Sequence, residues 1–194
     1  MQAAGKKDSS GLSFLEYLHD IVYILGLILL IFTFCMRVVI VSGSSMFSTL
    51  VDGDYLLLLS NVFYHEPEHG DIVVISKETF DNGKPIVKRV IATEGQTVDI
   101  DFANGIVYVE GKALEEDYIN SLTTVDEGMD FPLTVPEGCI FVLGDNRGIS
   151  LDSRNPNIGF IDKREVLGKA IFLMYPGTHY GQVLQDFDRL GVIK

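Results

Sequence analysis

The stretch Ile21–Met36, IVYILGLILLIFTFCM, carries no charge, and it constrains the fold more than any other part of the chain. Its sixteen residues, as a helix, rise ~24 Å against a hydrocarbon core of ~30 Å. Tyr17 and Leu18 extend the span at one end, and a snorkelling Arg37 extends it at the other. The segment is apolar on every side, which excludes an amphipathic surface helix. The apolar run resumes as Val38–Val41, and bulky residues, not small ones, precede the serines that follow. A cleaved leader has a core of ~7–15 residues and a small-residue cleavage site, so residues 14–37 read as a permanent transmembrane anchor. Lys6 and Lys7 precede the span and a single Arg37 follows it, which puts the N-terminus in the cytoplasm and the bulk of the chain outside. Residues 1–13 are polar and read as a disordered tail.

Charge adds an exclusion. The formal net charge is −12. Before Ser42, Lys6, Lys7 and Arg37 are cancelled by Asp8, Glu16 and Asp20, so the whole excess falls on the remainder. A domain that acidic does not present the basic face that nucleic acid needs. Nor does it dock on anionic lipid through charge. Cys35 and Cys139 lie in different kinds of segment, and neither a disulfide nor metal-ligand spacing follows from them. No metal and no cofactor is expected.

After Ser42 the texture is that of β structure. Short β-branched or aromatic runs (Tyr55–Leu59, Ile72–Ile75, Ile86–Ala92, Thr97–Phe102, Ile106–Val109, Ile140–Leu143 and Ala170–Tyr175) are cut by turn residues. Asp52-Gly53, Asn82-Gly83, Asn104-Gly105 and Glu110-Gly111 supply the turns, and Asn-Gly between such runs is a strong hairpin signal. Helical periodicity is absent, with at most a turn over 165–170. The expected fold is mainly β, an antiparallel barrel or sandwich behind one N-terminal helix. Residues 38–103 and 141–180 form its core, 104–140 a small turn-rich lobe, and 181–194 a C-terminal tail.

His65-Glu66-Pro67-Glu68-His69 matches the H-E-x-x-H pattern of zinc hydrolases. That chemistry needs both histidines on one helical face, and Pro67 followed by Gly70 forbids the helix. His19 and His179 have no partner pattern. A histidine-based triad would therefore require recruitment from a distance.

Chemistry concentrates elsewhere. Val38–Leu50, VVIVSGSSMFSTL, ends a β-branched run in a serine cluster, and Ser45 is the candidate nucleophile. A serine hydroxyl needs a base, and without a histidine the next candidate is a lysine kept neutral by burial. Lys88 and Arg89 are adjacent cations in the apolar strand Ile86–Ala92, so alternation turns one of them inward. A lysine snorkelling at the sheet edge is the competing reading. The loop Gly144–Arg154, GDNRGISLDSR, alternates acids and arginines after an apolar strand, a pattern suited to an internal ion-pair network.

At these residues the chain resembles the bacterial type I signal peptidases, the serine–lysine leader peptidases. Four blocks carry the resemblance in family order behind an anchor. They are Ser45-Met46 with Thr49-Leu50, then Gly70–Val74, then Lys88–Ile91, then Gly144–Arg147 with Ser150, Asp152, Ser153 and Arg154. The resemblance implies a membrane-bound endopeptidase acting on signal-peptide-bearing preproteins, monomeric and anchored in the bilayer. It implies Ser45 as nucleophile, Lys88 as general base and Ser150 as the residue orienting the Lys88 amine. Asp145, Arg147, Asp152, Arg154 and Arg89 would form the supporting network. The Ser45 N–H would be one oxyanion donor; Ser42 or Ser44, a water, or nothing would be the second, with Ser42 the side chain put forward. Substrate would lie extended between Ile40-Val41-Ser42 and Pro85-Ile86-Val87, with Ile40, Val41, Met46, Leu50, Ile86 and Val87 lining shallow pockets for small residues. The pattern departs at Ser48, where the family usually carries proline, and at Gly43, where some members carry a serine that supplies the second oxyanion donor. Two other readings share the same residues. One is a related serine–lysine protease processing other membrane or pilin-like substrates. The other is an anchored β-domain that binds extended peptides without cutting them.

Overall fold

The computed structural model describes residues 9–178 and 186–193; His179 and residues 181–185 of the C-terminal tail lie outside them. One helix, α1 (Ser9–Cys35), comes first. It contains an apolar span, Phe14–Cys35, long enough to cross a membrane, with none of that span buried against the protein. The helix starts within the stretch read as a tail and stops two residues short of the expected end of the anchor. Met36 and Arg37 already belong to strand β1 (Met36–Ile40). The switch is imposed by pairing, since Met36 to Ile40 run antiparallel to Leu59 to Tyr55.

Eleven further strands follow: β2 (Tyr55–Ser60), β3 (Ile72–Ile75), β4 (Ile86–Thr93), β5 (Thr97–Asp101), β6 (Ile106–Val109), β7 (Lys112–Ala113), β8 (Leu133–Thr134), β9 (Cys139–Leu143), β10 (Ile161–Asp162), β11 (Val166–Tyr175) and β12 (Gly191–Val192). They form two antiparallel sheets. The larger is a curled, open sheet in the order β1-β2-β11-β3-β4-β9-β10, with β12 beside β11. The smaller has the order β7-β6-β5-β8. The mainly β fold behind one helix is the expected one.

Two local expectations change. Strand β5, assigned to the core over 38–103, pairs with β6 and β8 in the small sheet. The Asn104-Gly105 turn accounts for this, because a tight hairpin commits β5 to its successor. The segment read as a turn over 165–170 opens the longest strand, β11, whose buried Val166, Gly168 and Ala170 alternate with less buried neighbours. That period of two outweighs the charges around it.

Three apolar clusters hold the fold. Val41, Met46 and Leu50 pack with Leu56, Leu58, Ile72, Val74, Ala170 and Leu173, so the residues flanking Ser45 belong to the core. Phe141 and Leu143 join the two sheets by packing with Val98, Ile100 and Val107. Val73, Ile75, Val90 and Val142 form the third cluster.

Candidate active site

Ser45 stands in the turn that follows β1. Backbone hydrogen bonds from Val41 N–H to Asp54 O (2.8 Å) and from Gly53 N–H to Val41 O (2.9 Å) fix the chain before it. Met46 and Leu50, each 1% exposed, fix the chain after it. From the other side, Asn146 donates its N–H to Ser45 O (2.9 Å) and its side-chain amide to Ser44 O (3.0 Å). The Gly144–Arg154 loop is thereby seated on the Ser45 turn.

Lys88 is the third residue of β4. Alternation required one of the adjacent cations to turn inward, yet both are buried, Lys88 at 3% and Arg89 at 2%. Both faces of β4 are covered at this point, so each cation needs its own solution. Arg89 donates from Nε and Nη2 to the two carboxylate oxygens of Asp145 (2.9 and 2.8 Å) and from Nη1 to Gly70 O, and its guanidinium lies 4.0 Å from the centre of the Tyr118 ring. Lys88 has Ser45: its Nζ lies 2.8 Å from Ser45 Oγ. Burial pushes the Lys88 amine down from 10.5 to about 8, while Asp152, Glu127 and Asp145 pull against that shift. An amine of that kind carries a neutral fraction near neutral pH and can take a hydroxyl proton.

The loop forms an ion-pair network around the two. Arg154 spans both oxygens of Asp152 (2.8 and 2.9 Å), contacts Glu127 (3.1 Å), and donates to the carbonyls of Arg147, Ser150 and Val125. Arg147 donates to Glu116 (3.1 and 2.6 Å), Thr123 Oγ1 and Gly144 O. Asp152 also accepts from Gly144 N–H (3.0 Å), and Asp145 accepts from Thr49 Oγ1. Arg147, Asp152 and Arg154 are fully buried. These are charge-assisted bonds in a region closed to water, where each is stronger than at a surface.

Ser150 departs from expectation. It is buried, but its Oγ has no hydrogen-bond partner among the described residues, and Lys88 is turned to Ser45. Gly144 explains how tightly the hydroxyl is held: a Cβ at Gly144 would stand 2.5 Å from both Ser150 Cβ and Ser45 O.

A cleft of about 520 Å³ opens beside Ser45. One wall is Val39 to Ser42, the other is Lys84 to Val87, and Met46 and Val74 also line it. Ser42, Ile40, Val41, Met46, Ile86 and Val87 border it. Leu50 does not, because it is enclosed in the apolar core. Both walls have a free edge. Strand β1 ends the large sheet, and β4 pairs with β9 only from Arg89 onward, leaving Ile86–Lys88 bonded on the β3 side alone among the described residues.

Thr49, Glu116, Tyr118, Thr123 and Glu127 complete the site without having been singled out for a role. Thr49 lies in the serine block, so its position was visible. The other four come from the turn-rich 104–140 stretch, where no periodicity marks a buried side chain. The zinc-like segment is a loop: His69 Nδ1 is 2.8 Å from Ile91 O, and Glu66 pairs with Lys163. Among the described residues no three His, Cys, Asp or Glu gather as metal ligands.

Residues 14–175 match the model of the family described as signal peptidase, peptidase S26. The chain belongs to this family. It is 37% identical over 172 residues to signal peptidase I of Bacillus licheniformis, covering 84% of this chain and 90% of the relative. Signal peptidase I T of Bacillus subtilis (strain 168) is also 37% identical over 172 residues, covering 84% of this chain and 86% of the relative. A crystal structure of a signal peptidase I from Enterococcus faecalis V583 is 35% identical, with a TM-score of 0.44, over 54% of this chain and 96% of that one. As a signal peptidase, the chain is a serine endopeptidase that cleaves signal peptides, and its single N-terminal apolar helix fits a single-pass membrane form.

Proposed function

We propose that Ser45 is the nucleophile and Lys88 the general base of signal-peptide cleavage. The observation that carries this is the 2.8 Å contact between Ser45 Oγ and a lysine amine buried away from water. Neutral Lys88 takes the Ser45 proton as Oγ attacks the scissile carbonyl. The oxyanion that forms is met by the Ser45 N–H, with Ser42 as second donor. The Lys88 ammonium then gives its proton to the leaving amine, and the mature protein departs. Water attacks the remaining acyl-serine, Lys88 takes its proton, and the signal peptide leaves as a carboxylate while Ser45 regains its hydrogen. Ser150 accepts a hydrogen bond from the ammonium in the charged steps, a role its buried, unpartnered hydroxyl suits. Asp145, Arg147, Asp152, Arg154 and Arg89 hold the loop and strand in place.

The substrate joins the free edges of β1 and β4 as an added strand, which satisfies backbone groups on both walls. Val41, Met46, Val74, Ile86 and Val87 leave shallow apolar pockets suited to small side chains. The protein acts as a monomer, with α1 in the bilayer, its N-terminus cytoplasmic and the sheets outside. The test is cleavage of a purified preprotein by the full-length chain in detergent. Ser45→Ala and Lys88→Ala each abolish it, while His65→Ala and His69→Ala do not. Retained cleavage by Lys88→Ala refutes the dyad, and a preference for pilin-like substrates over preproteins refutes the substrate assignment.

A further inference from the structure

The family match ends at Tyr175, yet the chain beyond it returns to the nucleophile turn. Strand β12 pairs with β11, Phe172 opposite Val192 and Leu173 opposite Gly191, and Ile193 packs against the cluster that contains Val41, Met46 and Leu50. Phe187 stands edge-on to Tyr175 at 5.9 Å, and Tyr175 to Tyr55 at 5.8 Å. Between these anchors a 3-10 turn, Phe187–Arg189, aims Arg189 inward. Its guanidinium donates to both oxygens of Asp54 (3.0 and 2.6 Å) and to Thr49 O (3.1 Å). Asp54 is fully buried, and its carboxylate also accepts from Val51 N–H (2.8 Å) and Gly177 N–H (2.7 Å). All four of its acceptor directions are filled.

The residues that Arg189 holds are those that hold Ser45. Asp54 O accepts from Val41 N–H, before the nucleophile. Thr49, after it, has its carbonyl on Arg189 and its hydroxyl on Asp145, the partner of Arg89. We propose that residues 186–193 are a strap that fixes the Ser45 turn in addition to the Gly144–Arg154 loop, with Arg189 as a positioning residue for the reaction. This rests on Ser45 being the nucleophile. The physical reason is a sensitivity of the attack to placement, where an error of ~1 Å costs up to ~100-fold in rate.

The test measures kcat and KM of the full-length chain in detergent on a preprotein, across pH. Arg189→Ala is expected to lower kcat about tenfold while KM and the acid limb of the pH profile stay put, because Arg189 touches neither the cleft nor Lys88. Arg189→Lys restores part of the loss, since a point charge keeps the Asp54 pair but not the fork to Thr49. Arg164→Ala, an exposed arginine paired with Asp162, serves as the control and leaves kcat unchanged. A kcat for Arg189→Ala within twofold of the wild type overturns the proposal, as does an acid limb that moves up with the loss, which would mean that the core had loosened and let water reach Lys88. If Arg189→Ala does not fold, Arg189→Lys decides: a kcat reduced about threefold at constant KM supports the strap, and a wild-type kcat overturns it. Residual cleavage by Ser45→Ala would instead defeat the nucleophile assignment, whatever Arg189 does.

Discussion

Lys88 Nζ stands 2.8 Å from Ser45 Oγ across 43 positions of the chain, and Lys88 is 3% exposed. That closeness and that burial set the pH behaviour of the protein. The amine titrates at about 8 in the folded chain and at 10.5 without burial. Below about 8 it is protonated and cannot accept the Ser45 proton. The plot of kcat/KM against pH is therefore expected to rise through an apparent pKa near 8. A profile that rises near 6.5, the ordinary histidine value, would count against Lys88 as the base.

The same shift has a cost in stability. Between about 8 and 10.5 the unfolded chain holds a proton that the folded chain has released, so stability rises with pH across that window. Below about 8 both states are protonated and the full penalty of burying the charge remains. At 1.36 kcal/mol per unit it is roughly 3 kcal/mol. Lys88→Met is expected to be inactive and, at pH 7, more stable than the wild type by up to about that amount. Urea unfolding at pH 7 and at pH 10 checks this, and the advantage shrinks at the higher pH. A Lys88→Met protein less stable than the wild type at pH 7 would contradict it.

Gly144 is packed against two residues, Ser150 and Ser45. A Cβ there meets Ser150 Cβ and Ser45 O at 2.5 Å, and neither is the free end of a flexible chain. Gly144→Ala is expected to destabilise the fold by about 1–3 kcal/mol and to lower kcat at least ~10-fold by displacing Ser45. Unfolding curves and single-turnover cleavage measure the two effects. Wild-type kcat in Gly144→Ala would show that the Ser45 carbonyl is free to move without consequence.

The apolar N-terminal helix and the hairpins were legible because their signals are local. An uncharged apolar run and Asn-Gly between β-branched segments act within a few residues of themselves. Strand β1 was legible only in part, because Met36 and Arg37 read as the end of the apolar helix, and only pairing with Leu59 and Leu58 makes them extended. Ser45 and Lys88 became candidates through chemistry and through the order of four sequence blocks; their contact depends on sheet curvature that no local pattern encodes. The burial of both Lys88 and Arg89 was hidden for a related reason, since alternation describes one face of a sheet and here both faces are covered. Glu116, Tyr118, Thr123 and Glu127 come from a polar stretch that looks solvated until Arg147, Arg89 and Arg154 are placed against it.

Asp145 carries the Arg89 charge. The pair is buried at both ends, and Asp145 also accepts from Thr49. Asp145→Asn preserves shape but removes the charge, and breaking a buried pair costs about 3–5 kcal/mol, because the surviving ion stays desolvated. Gly70 O and the Tyr118 ring still engage Arg89, so the lower end of that range is expected. The double variant Arg89→Met/Asp145→Leu is expected to recover most of the loss. Denaturant midpoints give both values, and a double variant that is no more stable than Asp145→Asn would mean that the pair serves packing and not charge balance.

Glu127 acts on the Lys88 amine from a distance. It contacts Arg154 at 3.1 Å, and its charge raises the Lys88 pKa, whereas Arg154 lowers it. Burial pushes the Glu127 carboxyl itself upward, against the pull of Arg154. Glu127→Gln keeps the volume, removes one negative charge near Lys88 and leaves Arg154 less compensated. Both effects have the same sign, so the Lys88 amine titrates lower and is neutral over more of the physiological range. The acid limb of kcat/KM is expected to move down by about half a unit, under about 1 kcal/mol of interaction. Activity at pH 7 relative to the plateau then rises. The comparison needs the full pH profile of each protein, because a change in plateau alone reports placement and not titration. An acid limb that stays fixed or moves up in Glu127→Gln would exclude Glu127 from the electrostatics of the Lys88 amine and leave it only the role of holding Arg154.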